Sequence, residues 1–449
     1  MGGAAGRSRR PPVTVAVSRR TRVWAASSER ARRQEAEVPG SADIDLSKGA
    51  FWAAPYAERA AAFEVLRREK PIGFFAEPRV RWAKQGPGFY AVTRHADVVE
   101  ASRRPEDFSS AEGVMVFDRP PESIEFFDSM INMDDPRHAR LRRIVSRAFT
   151  ASMIERLDGE IRQVAAEIVD GLPARGTFDF VTEVAERLPL TIICRMMGVP
   201  ESRHRFVAER TNIILGAGDP EYTPDRTETE PVTLLTAAAE LAGMVKELAA
   251  ERAGAPGDDL TSKLVNANID GEKLTARELG SFFGILLQAG NETTRTAISH
   301  GLMLLTEHPG QKRRWAEDFE RYAATATDEI VRVASPVIYM RRTATRDCEL
   351  NGHRFRRGDK LLLYYWSANR DETVFDDPER FDVTRSPNPH LGFGAPGPHY
   401  CLGAHLARSE ITALFRELLG RAPGVHAAGP PDRLRSNFLN GIKHLPCAL

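Results

Sequence analysis

The chain has 449 residues, 42% hydrophobic and 28% charged, with 62 Lys and Arg against 62 Asp and Glu. That length buries the core of one large domain or of two to three smaller ones. A formal net charge of zero excludes an overall basic bias toward nucleic acid or a membrane surface, and no apolar run approaches the ~18 residues of a membrane span.

Residues 1–44 stand apart from the rest of the chain. The stretch GRSRRPPVTVAVSRRTRVWAASSERARR is Arg-rich and poor in acid, and no apolar segment comes after Arg19-Arg20 to make an export signal. A basic, disordered extension is expected there, or a start assigned too far upstream. Residues 45–449 read as one continuous globular unit without linker or repeat. Helical spacing of apolar residues marks RHARLRRIVSRAF, MIERLDGEIRQVAAEIVDGL (closed by Gly171), VTEVAERLPLTIICRMMGV and LLTAAAELAGMVKELAAERAG. Strand candidates are short and scattered: GFYAVT, CELNGHRF and KLLLYYW. The expected fold is mainly α, a helical bundle with small β-sheets at one side.

No proline occurs between Pro256 and Pro309, and Thr275 with Glu278 forms a capping-box pattern. The helix that starts there runs for roughly thirty residues, or ~45–50 Å, long enough to cross the molecule. Its apolar FFGILL gives way to AGNETT before apolar character resumes. A polar cluster inside a crossing helix is costly unless it is hydrogen-bonded or does chemistry.

The cysteines are Cys194, Cys348, Cys401 and Cys447, with no CxxC pair and no framework of a small secreted chain, so a reducing cytosol is expected. Cys401 stands in HLGFGAPGPHYCLGAHLAR, residues 390–408. Gly392, Gly394 and Gly397 permit close approach of backbone to a flat object, and Pro396 and Pro398 stiffen the loop. Leu402 to Leu419 reads as a helix, which places Cys401 near an N-terminus that favours the thiolate. Small buried cysteines are common in cores. Cys401 and His405 share i,i+4 spacing, but zinc wants three or four ligands and no further cluster is nearby. One axial thiolate to a planar cofactor fits the glycine density better.

The loop FGAPGPHYCLG resembles the haem-binding loop of the cytochrome P450 family, whose cysteine is the proximal iron ligand. Four further segments agree in order: DDPRHARLR (134–142), AGNETT (289–294), EIVR with Glu329 and Arg332, and FDDPERFDVTR (375–385). Phe393 lies eight residues before Cys401, one more than the family's commonest spacing. This is similar to a bacterial branch that hydroxylates methyl-branched lipids and cholesterol side chains, although Ala395 and Pro396 stand where that branch usually has glycines. The resemblance implies the P450 fold around haem b, with Phe393, Gly397, Cys401 and Gly403 in the haem loop. It also implies that His138, Arg142, Arg342 and His399 clamp the propionates, the choice of Arg342 over the adjacent Arg341 being open. Glu292 and Thr293 would deliver protons to bound dioxygen, with Gly290 opening the helix for oxygen. Glu329 and Arg332 would form a structural network with a meander arginine, Arg380 or Arg385.

These readings imply a monomeric, cytoplasmic haem-thiolate monooxygenase. Electrons would come from NAD(P)H through ferredoxin reductase and a ferredoxin steered to Arg137, Arg140, Arg143 and Arg147. The alternative is a hydroxylase of another terpenoid or secondary metabolite; a peroxide-driven peroxygenase ranks lower because the acid–alcohol pair is intact, and a haem-based sensor lower still because it needs no proton relay. By position in the resembled fold, the pocket is expected from the 111–130 loop with Phe117, from Gly284 and Leu287, from Val337, Ile338 and Met340, and from Phe438. These walls are apolar. They suit ω-hydroxylation of a branched lipid or sterol side chain steered through a narrow throat near Gly290.

Overall fold

A computed structural model describes residues 40–79, 85–118, 128–223, 230–266 and 273–449, all within the compact unit Ala36–Leu449. The expected N-terminal extension lies outside the described residues up to position 39. The helices are α1 (Gly49–Ala53), α2 (Tyr56–Glu69), α3 (His95–Ser102), α4 (Arg137–Ala148), α5 (Ala151–Asp170), α6 (Arg187–Met197) and α7 (His204–Leu215). They continue with α8 (Glu230–Gly254), α9 (Leu260–Val265), α10 (Ala276–Glu307), α11 (Pro309–Glu317), α12 (Phe319–Ala334), α13 (Tyr365–Ala368) and α14 (Ala404–Arg421). Among the described residues no helix is long and apolar enough to cross a membrane.

The strands are few and short, as expected. β1 (Ile72–Phe75), β2 (Phe89–Val92), β3 (Phe108–Ser109), β5 (Met340–Ala344) and β8 (Lys360–Leu363) form one sheet in the order β1-β2-β8-β5-β3. CELNGHRF splits into a hairpin, β6 (Cys348–Leu350) and β7 (His353–Phe355), because Asn351 and Gly352 adopt φ of 48° and 76°. β4 (Thr177–Asp179), β12 (Pro446–Ala448) and β9 (His426–Ala427) make a third sheet, and β10 (Asp432–Arg433) pairs with β11 (Ile442–His444).

α10 is the axis of the helical layer. Its 32 residues begin at the full Thr275–Glu278 capping box, and α6, α7, α8, α12 and α14 pack around it. The helices close in where side chains are absent. A Cβ on Gly301 would lie 2.6 Å from the ring of Phe415 on α14.

The end of α12 is fixed by a buried ion pair. Arg332 Nε and Nη2 donate to the two oxygens of Glu329 at 2.7 and 2.8 Å, and both side chains are fully buried. Arg332 Nη1 also donates to the carbonyls of Asn369 and Pro378, each at 2.8 Å. The third member is Arg385, whose Nε donates to Glu329 at 3.1 Å. Arg380 is a correction: its side chain is exposed beside Asp382, and only its carbonyl joins the network. Two turns, closed by Arg380 N–H on the Asp377 carbonyl and Arg385 N–H on the Asp382 carbonyl, each at 3.0 Å, leave Arg380 outward and bring Arg385 in.

Glu329→Ala leaves Arg332 buried without its carboxylate, so a loss of about 3–5 kcal/mol is expected in denaturant unfolding. Arg380→Ala at the exposed position is expected within about 0.5 kcal/mol of the parent. Equal effects of the two substitutions in the same unfolding series would contradict the assignment.

Candidate active site

Cys401 sits in a loop folded back on itself. Its N–H donates to the carbonyl of Phe393 at 2.9 Å, and Tyr400 N–H donates to the carbonyl of Gly397 at 3.2 Å. The glycines have reasons the sequence did not show. A Cβ on Gly397 would stand 2.3 Å from the Ser102 carbonyl oxygen, and one on Gly392 would stand 2.6 Å from Val331. Those two let the loop press on α3 and α12 rather than on a flat ligand. Gly394 is the one that needs positive φ, 85°. Gly403 caps α14, which begins at Ala404 rather than at Leu402. The Phe393 ring is covered by Arg408, 4.3 Å from its centroid, and Arg408 in turn binds Asp328 at 2.7 Å.

Cys401 is exposed, whereas Cys194 and Cys447 are buried. Burial among protein atoms nevertheless pushes the Cys401 thiol up, against the Gly403 N–H and the charges of Arg142 and Arg408. The Gly403 N–H at the start of α14 favours the thiolate, as expected for a helix N-terminus, and desolvation opposes it. A coordinating metal deprotonates a thiol outright.

Basic groups gather around this loop. Arg142 Nη2 donates to the Tyr400 carbonyl at 2.7 Å, and the rings of His138 and His399 lie 4.3 Å apart. Tyr365 and Arg342 share a hydrogen bond. Adjacent β5 residues point to opposite faces, which resolves the arginine pair. Arg341 is held by Asp118 at 2.9 Å, and Arg342 acts on His399. Burial, then Arg342, His138 and Arg142, push His399 down to about 3, and burial followed by Arg142 lowers His138. Like charges repel here beside a lone cysteine. Anionic carboxylates of a planar cofactor would relieve that repulsion through charge-assisted hydrogen bonds.

In the middle of α10, Ala289 is exposed and Gly284, Ile285, Leu286, Gly290 and Thr293 are half-buried. At about 100° per residue Ile285, Leu286, Ala289 and Thr293 share one face. Gly284 and Leu287 lie on the opposite face, where Leu287 is fully buried and Gly284 keeps some exposure. Gly290 is also corrected. A Cβ there would meet Ile193 of α6 at 3.0 Å, so the glycine admits α6 and does not open the helix to oxygen.

Thr293 Oγ1 donates to the Ala289 carbonyl at 2.8 Å. Glu292 is buried and ion-paired with Arg295, and one of its carboxylate oxygens has no partner. Arg295, missed in the sequence, is also held by Glu186 at 3.1 Å and by Asn212 Oδ1 at 3.0 Å. Glu186 comes directly after a π-helical turn over Val181–Ala185, a register that spacing alone does not reveal. Glu410 on α14 was missed as well. It is buried against Thr294, which hydrogen-bonds it, while burial pushes it up to about 8.

The remaining walls are mixed. Residues 114–116 are pinned where Arg341 N–H donates to the Val114 carbonyl at 2.8 Å and Val116 N–H to Tyr339 Oη at 3.2 Å. Phe117 and Phe438 are partly buried against one core cluster, and Val337 and Met340 against another. Ile338, expected in the pocket, is 1% exposed within that first cluster. Residues 119–127 of the expected loop lie outside the described residues.

The donor set fits a haem. It offers one exposed cysteine and basic groups from α4, β5 and the cysteine loop. Among the described residues no group of three or more His, Cys, Asp and Glu stands together to hold a metal, so zinc through Cys401 and His405 is not supported. The site is that of a haem-thiolate protein.

The comparisons agree. The cytochrome P450 family model matches residues 237–421. The methyl-branched lipid omega-hydroxylase of Mycobacterium tuberculosis is 48% identical over 91% of this chain and 95% of its own. The steroid C26-monooxygenase of Mycolicibacterium smegmatis is 41% identical over 84% and 88%. A Mycobacterium marinum cytochrome P450 solved with pseudoionone superposes with a TM-score of 0.86 at 42% identity, covering 92% of this chain and 100% of that one. The chain belongs to the cytochrome P450 family. As such it is a haem-iron monooxygenase that needs a redox partner and takes a hydrophobic substrate.

The depressed His399 gives the cofactor-free protein a defined pH response. A group whose folded value is lowered from 6.5 to about 3 contributes stability present above 6.5 and lost as pH falls through that window. Thermal unfolding of the haem-free chain should therefore fall between those values. His399→Gln should flatten the fall, and an unchanged profile in that variant would contradict the arrangement.

Proposed function

We propose that this enzyme hydroxylates the terminal carbon of a methyl-branched lipid or sterol side chain. Glu292 and Thr293 deliver protons, and a ferredoxin-type protein, itself reduced by NAD(P)H through a reductase, supplies electrons. The observation that carries the reading is the placement of Thr293 on the Ala289 face of α10 with Glu292 buried directly behind it. His138, Arg142, Arg342 and His399 would hold the propionates of haem b, and Cys401 would hold its iron. Bound there, the haem supplies thiolate-assisted activation of dioxygen.

The chain's own residues supply the rest. Glu292 can turn its carboxylate from Arg295 toward Thr293 while Arg295 keeps Glu186 and Asn212 as partners. A buried cation is not stranded by that movement. Thr293 Oγ1 can exchange its bond to the Ala289 carbonyl for one to an incoming proton carrier. Ile285, Leu286, Ala289, Phe117, Val337, Met340 and Phe438 give the substrate apolar contact without a charged anchor. A primary C–H bond is stronger than its tertiary neighbour, so attack at the chain end must come from position. The names of the two bacterial relatives support this substrate class. The partner surface is less basic than the sequence implied. Arg137 lies 3.7 Å from Asp128, and Arg140 pairs with Glu278 at 2.9 Å.

Cys401→Ser is expected to lose the red-shifted carbon monoxide band of a thiolate haem, while serine at Cys194, Cys348 or Cys447 preserves it. Thr293→Ala should still bind substrate and consume oxygen, with coupled product falling about 10²–10⁴-fold and hydrogen peroxide rising. Parental coupling in that variant would refute the relay. Product analysis on phytanic acid beside a sterol enone tests the substrate class. Exclusive tertiary or ring hydroxylation would overturn it.

A further inference from the structure

A second group of buried cations stands away from the cysteine loop, where α2, α10, α13 and β10 meet. Arg59 of α2 is 5% exposed. Its Nε is buried without a hydrogen-bond partner, and its guanidinium lies 5.8 Å from the centre of the Trp366 ring. Among the described residues no carboxylate pairs with it. Arg433 of β10 points Nη2 at the Met303 sulfur, 3.6 Å away, and its Nη1 is buried with no partner. The indole N–H of Trp366 is buried and unpartnered as well.

The neighbouring charges are accounted for. Arg370, 4.2 Å from the same Trp366 ring, donates to Tyr56 Oη at 2.7 Å and to the carbonyls of Trp366 and Val333 at 3.0 and 2.6 Å. Glu379 accepts from Tyr56 at 2.8 Å and lies 3.5 Å from Arg370. Glu307 attracts Arg433. Buried His300 bonds the Asn440 carbonyl at 2.9 Å and is pushed down to about 3 by burial, then by Arg433, with Arg370 and Arg59 adding to it. Burial and then Arg433 push Arg59 down to about 10, which leaves it charged at neutral pH.

The unsatisfied atoms are therefore all donors, and two of them sit on guanidinium groups that repel each other. Such an arrangement is costly unless an acceptor carrying negative charge stands between them. We propose that Arg59 and Arg433, with the Trp366 indole N–H at hand, form a binding site for a monoanion, a halide or a carboxylate. A cation or a hydrogen-bond donor has no partner there. The consequence for the enzyme is positional. β10 leads into the turn that carries Phe438 and Asn440, so an anion bridging α2 to β10 would hold that wall of the pocket in place. The inference does not depend on the hydroxylation reading, because its tests need no turnover.

The haem-loaded protein is titrated with sodium bromide in a bulky sulfonate salt at constant ionic strength, and its melting temperature is followed. A saturable rise is expected in the parent, a smaller one in Arg59→Lys, and none in Arg59→Leu or Arg433→Leu. Should the leucine variants fail to fold, parental crystals soaked in bromide decide the matter. An anomalous peak between Arg59 Nε and Arg433 Nη1 supports the site. An ordered water there and no saturable response overturn it. Dodecanoate that displaces the bromide peak assigns the site to a carboxylate head group, and a peak that persists assigns it to a halide.

Discussion

Glu329 and Arg332 lie on one turn of α12 with no exposed surface, and the neighbouring segments take their positions from them. Arg332 reaches the carbonyls of Asn369 and Pro378. Glu329 accepts the Asp382 N–H at 3.0 Å and the Arg385 guanidinium. Asn369 then accepts the Leu391 N–H at 2.6 Å, where the cysteine loop begins. Buried hydrogen bonds thus run from a helix end to the meander on one side and through Asn369 to Leu391 on the other. Each member is satisfied by the next, which is what makes buried charge tolerable. The ion pair works as a positioning element. Its value lies in fixing several irregular segments that have no ladder of their own.

The cysteine loop and α10 solve opposite problems. The loop has little regular hydrogen bonding and is held by tight backbone contact, with Gly397 against Ser102 and Gly392 against Val331. α10 has every internal bond and must place a polar cluster in its middle. It does so by giving Glu292 a buried cation, Arg295, that is itself doubly supported. Burial still pushes the acid up, with Arg295 pulling the other way. Thr293 remains on the open side with a bond it can exchange.

Charge is distributed unevenly through the interior. Around His399 the cations sit beside the cysteine loop. Around Arg59 they sit in the core. Both clusters depress a buried histidine, His399 in one and His300 in the other.

The sequence by itself determined the mainly helical class of fold and the long capped helix, because local periodicity and capping need no tertiary information, while the roles read for Cys401 and the acid–alcohol pair rest on the resemblance of their motifs. It also placed Glu329 with Arg332, which are neighbours on one helical turn. It put Leu287 and Ile338, both buried, among the pocket walls. Such residues are apolar, and only helix rotation and strand packing decide whether one faces a cleft or the core. It could not choose Arg342 over Arg341, or Arg385 over Arg380, since the choice depends on which face of a strand or turn is buried. Glycine composition announced a tight loop, yet whether Gly290 and Gly397 open space or close it was decided by Ile193 and Ser102, residues distant in sequence. Arg295, Glu186 and Arg59 carry no motif at all. Their significance comes from which groups the tertiary fold brings near them and from the removal of water around their charges.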